Sequence, residues 1–90
     1  MHKNKIKIFL VDDDELYLNM LKIELQQNEA FIIETFITGE LCLADLSKKP
    51  DVIVLDYYLD GLDKNAKDGI QVLDEIKVIN PSIPVVMLSA

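Results

Sequence analysis

Apolar and polar positions fall in blocks whose lengths predict the elements of the fold. Ile6 to Val11 is a short, mostly apolar run that stops at Asp12, Asp13 and Asp14, as a buried strand does on reaching the edge of a sheet. From Glu15 to about Asn28, Leu18, Leu21 and Leu25 recur at helical spacing with Tyr17 beside them, and Asn19, Lys22, Glu24 and Gln26 are polar. This pattern predicts an amphipathic helix, which Asp13 or Asp14 can cap with a side-chain oxygen, Asp14 being the better candidate. Phe31 to Ile37, rich in β-branched and aromatic residues, predicts a second strand. Thr38-Gly39-Glu40 then turns the chain into a short helix through about Ser47, ended by Lys48-Lys49-Pro50.

Asp51 to Asp56 is an apolar run bracketed by acids, and its lack of polar alternation predicts a central parallel strand buried on both faces. Gly61 to Lys67 is a polar loop. Asp68 caps a following helix whose apolar positions are Ile70, Leu73, Ile76 and Ile79, and Asn80-Pro81 stops it. Ile83 to Leu88, with Pro84 near its start, is a fourth strand ending in Ser89-Ala90. Strands alternating with helices imply right-handed crossovers and an α/β, doubly wound parallel sheet. Ligands of such sheets bind beyond the carboxyl ends of the strands.

Composition narrows the class. Ninety residues, half of them hydrophobic, predict one globular domain spanning residues 1–90, and no apolar run approaches the ~20 residues of a membrane-spanning helix. The start has no apolar export segment, and the single cysteine, Cys42, has no disulfide partner within the chain, so a cytoplasmic location is expected, with Cys42 a small core residue. A net charge of −7, with all nine basic residues being lysine, argues against direct binding to nucleic acid. His2 sits in the amino-terminal tail and is not read as a phosphate relay.

Candidate chemistry lies at the strand ends, where Asp12 and Asp13 follow the first strand, Asp56 the third and Ser89 the fourth. A parallel sheet brings these ends together, and carboxylates so gathered resist ionising unless a cation sits among them. Mg²⁺ fits, since it takes oxygen ligands and commonly binds one or two carboxylates together with a phosphate. Asp56 would then be a nucleophile toward phosphorus, with the Ser89 hydroxyl and backbone amides near Tyr58 and Ala90 as donors to the phosphoryl oxygens. Asp63, Asn65 and Asp68 have something of a calcium loop, but Lys67 at a ligand place and a misplaced glycine exclude it. Tyr57 and Tyr58 are read as packing residues.

Four segments in order, Phe9-Leu10-Val11-Asp12-Asp13-Asp14, Val52 to Asp56, Asp68-Gly69 and Val85 to Ala90, closely resemble the receiver domains of two-component response regulators. The resemblance implies a flavodoxin-like sheet of order 2-1-3-4, with Asp56 the phospho-acceptor and Asp13 a direct Mg²⁺ ligand. Asp12 would act largely through water, and the Tyr58 backbone carbonyl would be a further ligand. Ser89 would be the switch hydroxyl, Ala90 a phosphoryl-binding backbone amide, and Tyr58 a position that tunes dephosphorylation. The implied donor is a phosphohistidine on a sensor histidine kinase or a phosphotransfer protein. The implied role is that of a signalling domain rather than a true enzyme.

Two departures from the family pattern stand out. Asp60 occupies the usual proline place and Asp68-Gly69 arrives about five residues late, so the loop is longer and more acidic, is expected to alter partner specificity, and offers Asp60 to the metal's outer shell. The chain also ends at Ala90, where a receiver continues through a helix, a lysine-bearing fifth strand and a last helix. The expectation is therefore a piece of a longer receiver, or a dimer or strand exchange through an open fourth-strand edge. Two other functions compete. A phosphorylation-independent receiver-like interaction module would keep the fold alone, and a haloacid-dehalogenase-type phosphohydrolase would use Asp12 as nucleophile and Asp14 as acid, although Glu15 stands where that family has glycine.

Overall fold

The structure, a computed structural model, describes residues 4–61 and 63–88. Its elements alternate as the hydrophobic pattern predicts: β1 (Ile6–Val11), α1 (Glu15–Leu25), β2 (Phe31–Phe36), α2 (Gly39–Ala44), a 3-10 turn (Leu46–Lys48), β3 (Val52–Asp56), α3 (Gly69–Ile79) and β4 (Val85–Leu88). The strands form one parallel sheet in the order β2-β1-β3-β4, so the first crossover runs to one side and the chain then reverses to build the other. None of the described helices is long and apolar enough to cross a membrane.

Alternation along β1 divides the core in two. Phe9 and Val11 face the layer made by α2 and α3, where they join Phe36, Cys42, Ile53, Leu55, Val72 and Ile76, and the Phe9 and Phe36 rings lie 4.7 Å apart. Ile8 and Leu10 face α1, which contributes Leu18, with Leu21 and Leu25 partly buried behind it. Burying apolar side chains on both faces of the sheet is the main favourable term in folding such a domain. Cys42, as expected, is a core residue with no exposed surface.

Several boundaries differ from the sequence expectation. α1 ends at Leu25 rather than near Asn28, because the exposed Gln26 and Gln27 offer no apolar face and the Asn28 side chain accepts from the Ala30 N–H at 2.9 Å, forming a turn. The second helix breaks at Ala44 into the 3-10 turn, which closes with Lys49 at a left-handed φ of 58° ahead of Pro50. β4 begins at Val85, since Pro84 has no N–H for the ladder, though its carbonyl still accepts from Ile53 N–H at 3.1 Å. In α3, Val72 and Ile76 are the buried positions and Leu73 is partly buried, while Ile70 and Ile79 are 42% and 59% exposed, a correction to the predicted stripe. Gly39 explains the choice, for a Cβ there would collide with the Val72 methyl, so the backbone of α2 sits directly on that side chain.

Candidate acidic phosphoryl-acceptor site

The register of the sheet sets the site. Val11 lies opposite Leu55, so the residues that follow, Asp12 and Asp56, leave adjacent strands side by side at the carboxyl rim. Carboxylate oxygens of Asp12, Asp13 and Asp56 all lie within 4.8 Å of one another. The three acids that follow the first and third strands therefore meet, as their places after apolar runs predict.

Each is fixed by its surroundings. Asp12 is only 9% exposed, and its Oδ1 accepts from the Asp14 N–H at 2.9 Å. Asp14 itself is exposed, and its Oδ1 accepts from the Tyr17 N–H at 3.1 Å, which makes it the cap of α1. A carboxylate engaged as a cap is poorly placed to serve as the acid of an Asp12-centred phosphohydrolase. Asp56 ends β3 and is half-buried, and its carbonyl lies against Gly69 at the start of α3.

Gly69 is the second residue that the packing demands. Its N–H donates to the Tyr57 carbonyl at 3.0 Å, and a Cβ there would meet both the Asp56 carbonyl and, at 2.7 Å, the Tyr57 carbonyl. Asp68, directly before it, forms a reciprocal cap: its Oδ1 accepts from the Gln71 N–H and its own N–H donates to the Gln71 Oε1, each at 2.9 Å. The end of β3 is thereby seated on the first turn of α3.

Electrostatics at the rim are unfavourable without a counter-charge. Burial pushes the Asp12 carboxyl above its ordinary value, the Asp14 amide opposes this, and the charges of Asp56, Asp13 and Asp14 add to the rise. Burial likewise raises Asp56, the Tyr58 and Tyr57 backbone amides pull it back, and Asp13 pushes it up. Among the described residues the ion pairs are Lys48 with Glu34 and Asp45, and Lys67 with Glu75; none involves the three rim acids. An all-oxygen donor set of this charge fits a hard divalent cation such as Mg²⁺.

The remaining predicted positions fare differently. Tyr57 and Tyr58 are 41% and 52% exposed, packed edge to face on each other with ring centroids 4.8 Å apart, so they flank the site rather than fill the core. Asp60 is not in the cluster. The lengthened loop is instead tied down, with the Lys67 ammonium 2.9 Å from Glu75 and its N–H donating to Glu40 at 3.0 Å. Asp63 takes the Asn65 N–H at 2.9 Å in a turn of its own, a role that leaves the excluded calcium loop without support. Ser89 and Ala90, the predicted hydroxyl and amide donors, lie outside the described residues, as does His2. Sequence reasoning missed the close approaches at Gly61 and Gly69, for which the only written signal is the pair of Asp-Gly steps flanking the loop.

Known proteins are similar to this chain in sequence and in fold. The nitrogen assimilation regulatory protein NtrX of Azorhizobium caulinodans is 33% identical over 81 residues, 89% of this chain and 17% of that protein. The alkaline phosphatase synthesis transcriptional regulatory protein PhoP of Bacillus subtilis is 35% identical over 85 residues, 93% of this chain and 33% of that protein. Among solved structures, the response regulator DrrB, a Thermotoga maritima OmpR/PhoB homolog, superposes with a TM-score of 0.78 at 33% identity, covering 94% of this chain and 36% of that one. The receiver domain of the Francisella response regulator 1452 superposes with a TM-score of 0.78 at 28% identity, over 96% of this chain and 67% of that one. The chain thus spans a third or less of the length of these two curated relatives. The family description "response regulator receiver domain" matches residues 8–90. With a parallel sheet of order 2-1-3-4, a triad of aspartates at its carboxyl rim and that match over nearly its whole length, this chain belongs to the receiver domain family of two-component response regulators.

Proposed function

We propose that Asp56 is the phospho-acceptor of this receiver domain and that Asp12, Asp13, Asp56 and the Tyr58 carbonyl hold a Mg²⁺ ion beside it. The observation that supports the reading is the meeting of the three carboxylates within 4.8 Å, with no ion pair to a lysine among the described residues. When bound, the metal neutralises charge that would otherwise repel an incoming phosphoryl group. An oxygen of the Asp56 carboxylate forms the new bond to phosphorus as the bond to the donor nitrogen of a phosphohistidine breaks, and the imidazole keeps the electron pair and takes up a proton. Asp13 and Asp12 orient the site, and the Tyr58 and Tyr57 backbone amides favour the charged form of Asp56. Ser89 and the Ala90 amide are the proposed donors to the phosphoryl oxygens.

The partner would be a sensor histidine kinase or a phosphotransfer protein, and the lengthened loop at Gly61 to Lys67 is proposed to tune which one docks. Incubation with acetyl phosphate and Mg²⁺, followed by intact-mass spectrometry and peptide mapping, tests the assignment. One phosphoryl group on Asp56, lost in Asp56→Asn and in the presence of a chelator, is the expected result. Label on Asp12 would overturn it in favour of the phosphohydrolase, and a folded protein that takes no label would favour the interaction module.

A further inference from the structure

We propose that Gly61 is a positioning residue for the metal site: with no side chain there, the loop after β3 can rest against the Asp13 carboxylate and hold it toward Asp12 and Asp56. A Cβ at position 61 would lie 2.8 Å from Asp13 Oδ2 and 3.8 Å from Asp13 Cγ, the first distance shorter than real contacts allow. Among the described residues, chain neighbours aside, no atom outside Asp13 stands within 4 Å of that Cβ, so the clash falls on Asp13. Glycine is not needed here for its backbone freedom, since no described glycine has a left-handed φ. Gly61 is also exposed, so a methyl group would displace no core side chain. What glycine provides is the missing volume beside a carboxylate.

The consequence is specific. Alanine at 61 fits the backbone, and the softest response is rotation of the short Asp13 side chain away from the loop. That rotation pulls one of the three oxygens out of the group that lies within 4.8 Å. Residues that orient metal ligands commonly change affinity by about 10–100-fold when substituted. The inference rests on the reading of Asp13 as a ligand, and the measurement below separates the failure of one from the failure of the other.

Titration calorimetry with Mg²⁺ alone, without any phosphodonor, is the test, run on the unsubstituted protein, Gly61→Ala and the loop control Asn65→Ala. Gly61→Ala is expected to bind Mg²⁺ about tenfold more weakly or worse, Asn65→Ala as the unsubstituted protein does, and all three to melt alike in chelator. Equal affinity for Gly61→Ala and the unsubstituted protein would overturn the proposal, as would equal weakening by Asn65→Ala. A Gly61→Ala protein that unfolds in chelator would overturn it too, because the backbone rather than Asp13 would then have yielded. If the unsubstituted protein binds no Mg²⁺, the underlying reading of the site fails instead.

Discussion

The two ends of the sheet treat charge in opposite ways. At the amino end, Asp51 accepts from the Lys7 N–H at 2.7 Å while its own N–H donates to the Lys7 carbonyl at 2.8 Å, and the Lys7 ammonium reaches the Lys48 carbonyl at 3.0 Å. Lys48 in turn sits 3.2 Å from both Glu34 and Asp45. At the carboxyl end, three carboxylates crowd together without an ion pair among the described residues. One end is electrostatically closed, whereas the other keeps an uncompensated charge that a cation can use. Such a site departs from what stability alone would select, as functional sites often do.

The contrast can be broken at the carboxyl end most forcefully through Gly69. Because a Cβ there meets the carbonyls of Asp56 and Tyr57, Gly69→Ala forces β3 and α3 apart, and a loss of about 1–3 kcal/mol in chemical denaturation is expected, together with weakened Mg²⁺ binding. An unchanged denaturation midpoint would mean that the strand end is not seated on the helix as described.

A smaller effect of opposite sign is expected from Asp56→Asn. In the metal-free protein Asp12 and Asp56 both titrate above the ordinary 3.8, mainly because burial disfavours their charged forms. The stability linked to their protonated forms is complete below the ordinary value and is lost as pH rises through the raised folded values. Metal-free protein should therefore gain stability from these two groups as pH is lowered from 7 toward the ordinary carboxyl value of 3.8. Asp56→Asn should raise the neutral-pH midpoint by a few degrees and flatten the profile, and saturating Mg²⁺ should stabilise the unsubstituted protein at neutral pH but not the variant. A profile that keeps its slope in Asp56→Asn would place the strain elsewhere.

At the amino end, Lys48→Met should do least. Lys48 is half exposed and its partners are about a third exposed, and surface pairs of this kind contribute little to stability. The melting midpoint is expected to stay nearly unchanged, and Mg²⁺ binding to be unaffected; a large drop at low salt would show that the amino end is not a passive closure.

Much of this was readable from the residues. The parallel sheet follows from alternating blocks, its strand order from the receiver resemblance, the caps from Asp14 and Asp68, and the rim triad from acids placed directly after apolar runs. Faces of helices were harder. α3 carries Ile70, Val72, Leu73, Ile76, Val78 and Ile79, enough apolar residues to draw more than one stripe, and only the close seat of Gly39 on Val72 decides which is inward. α1 has the same ambiguity, with Leu16, Met20 and Ile23 at 71%, 62% and 66% exposure on the side away from Leu18. Tyr57 and Tyr58 do pack, but on each other and partly exposed, since the strand has already ended when the chain reaches them. Glycine contacts were invisible because periodicity records side chains and these positions matter through lacking one.

The meshing of Gly39 with Val72 has a mechanical corollary. Where two helices touch through long side chains, rotamer changes can absorb small displacements; where backbone rests on a branched methyl group, that slack is gone. The two helices are thus geared together, so a displacement of one would pass to the other with little slack.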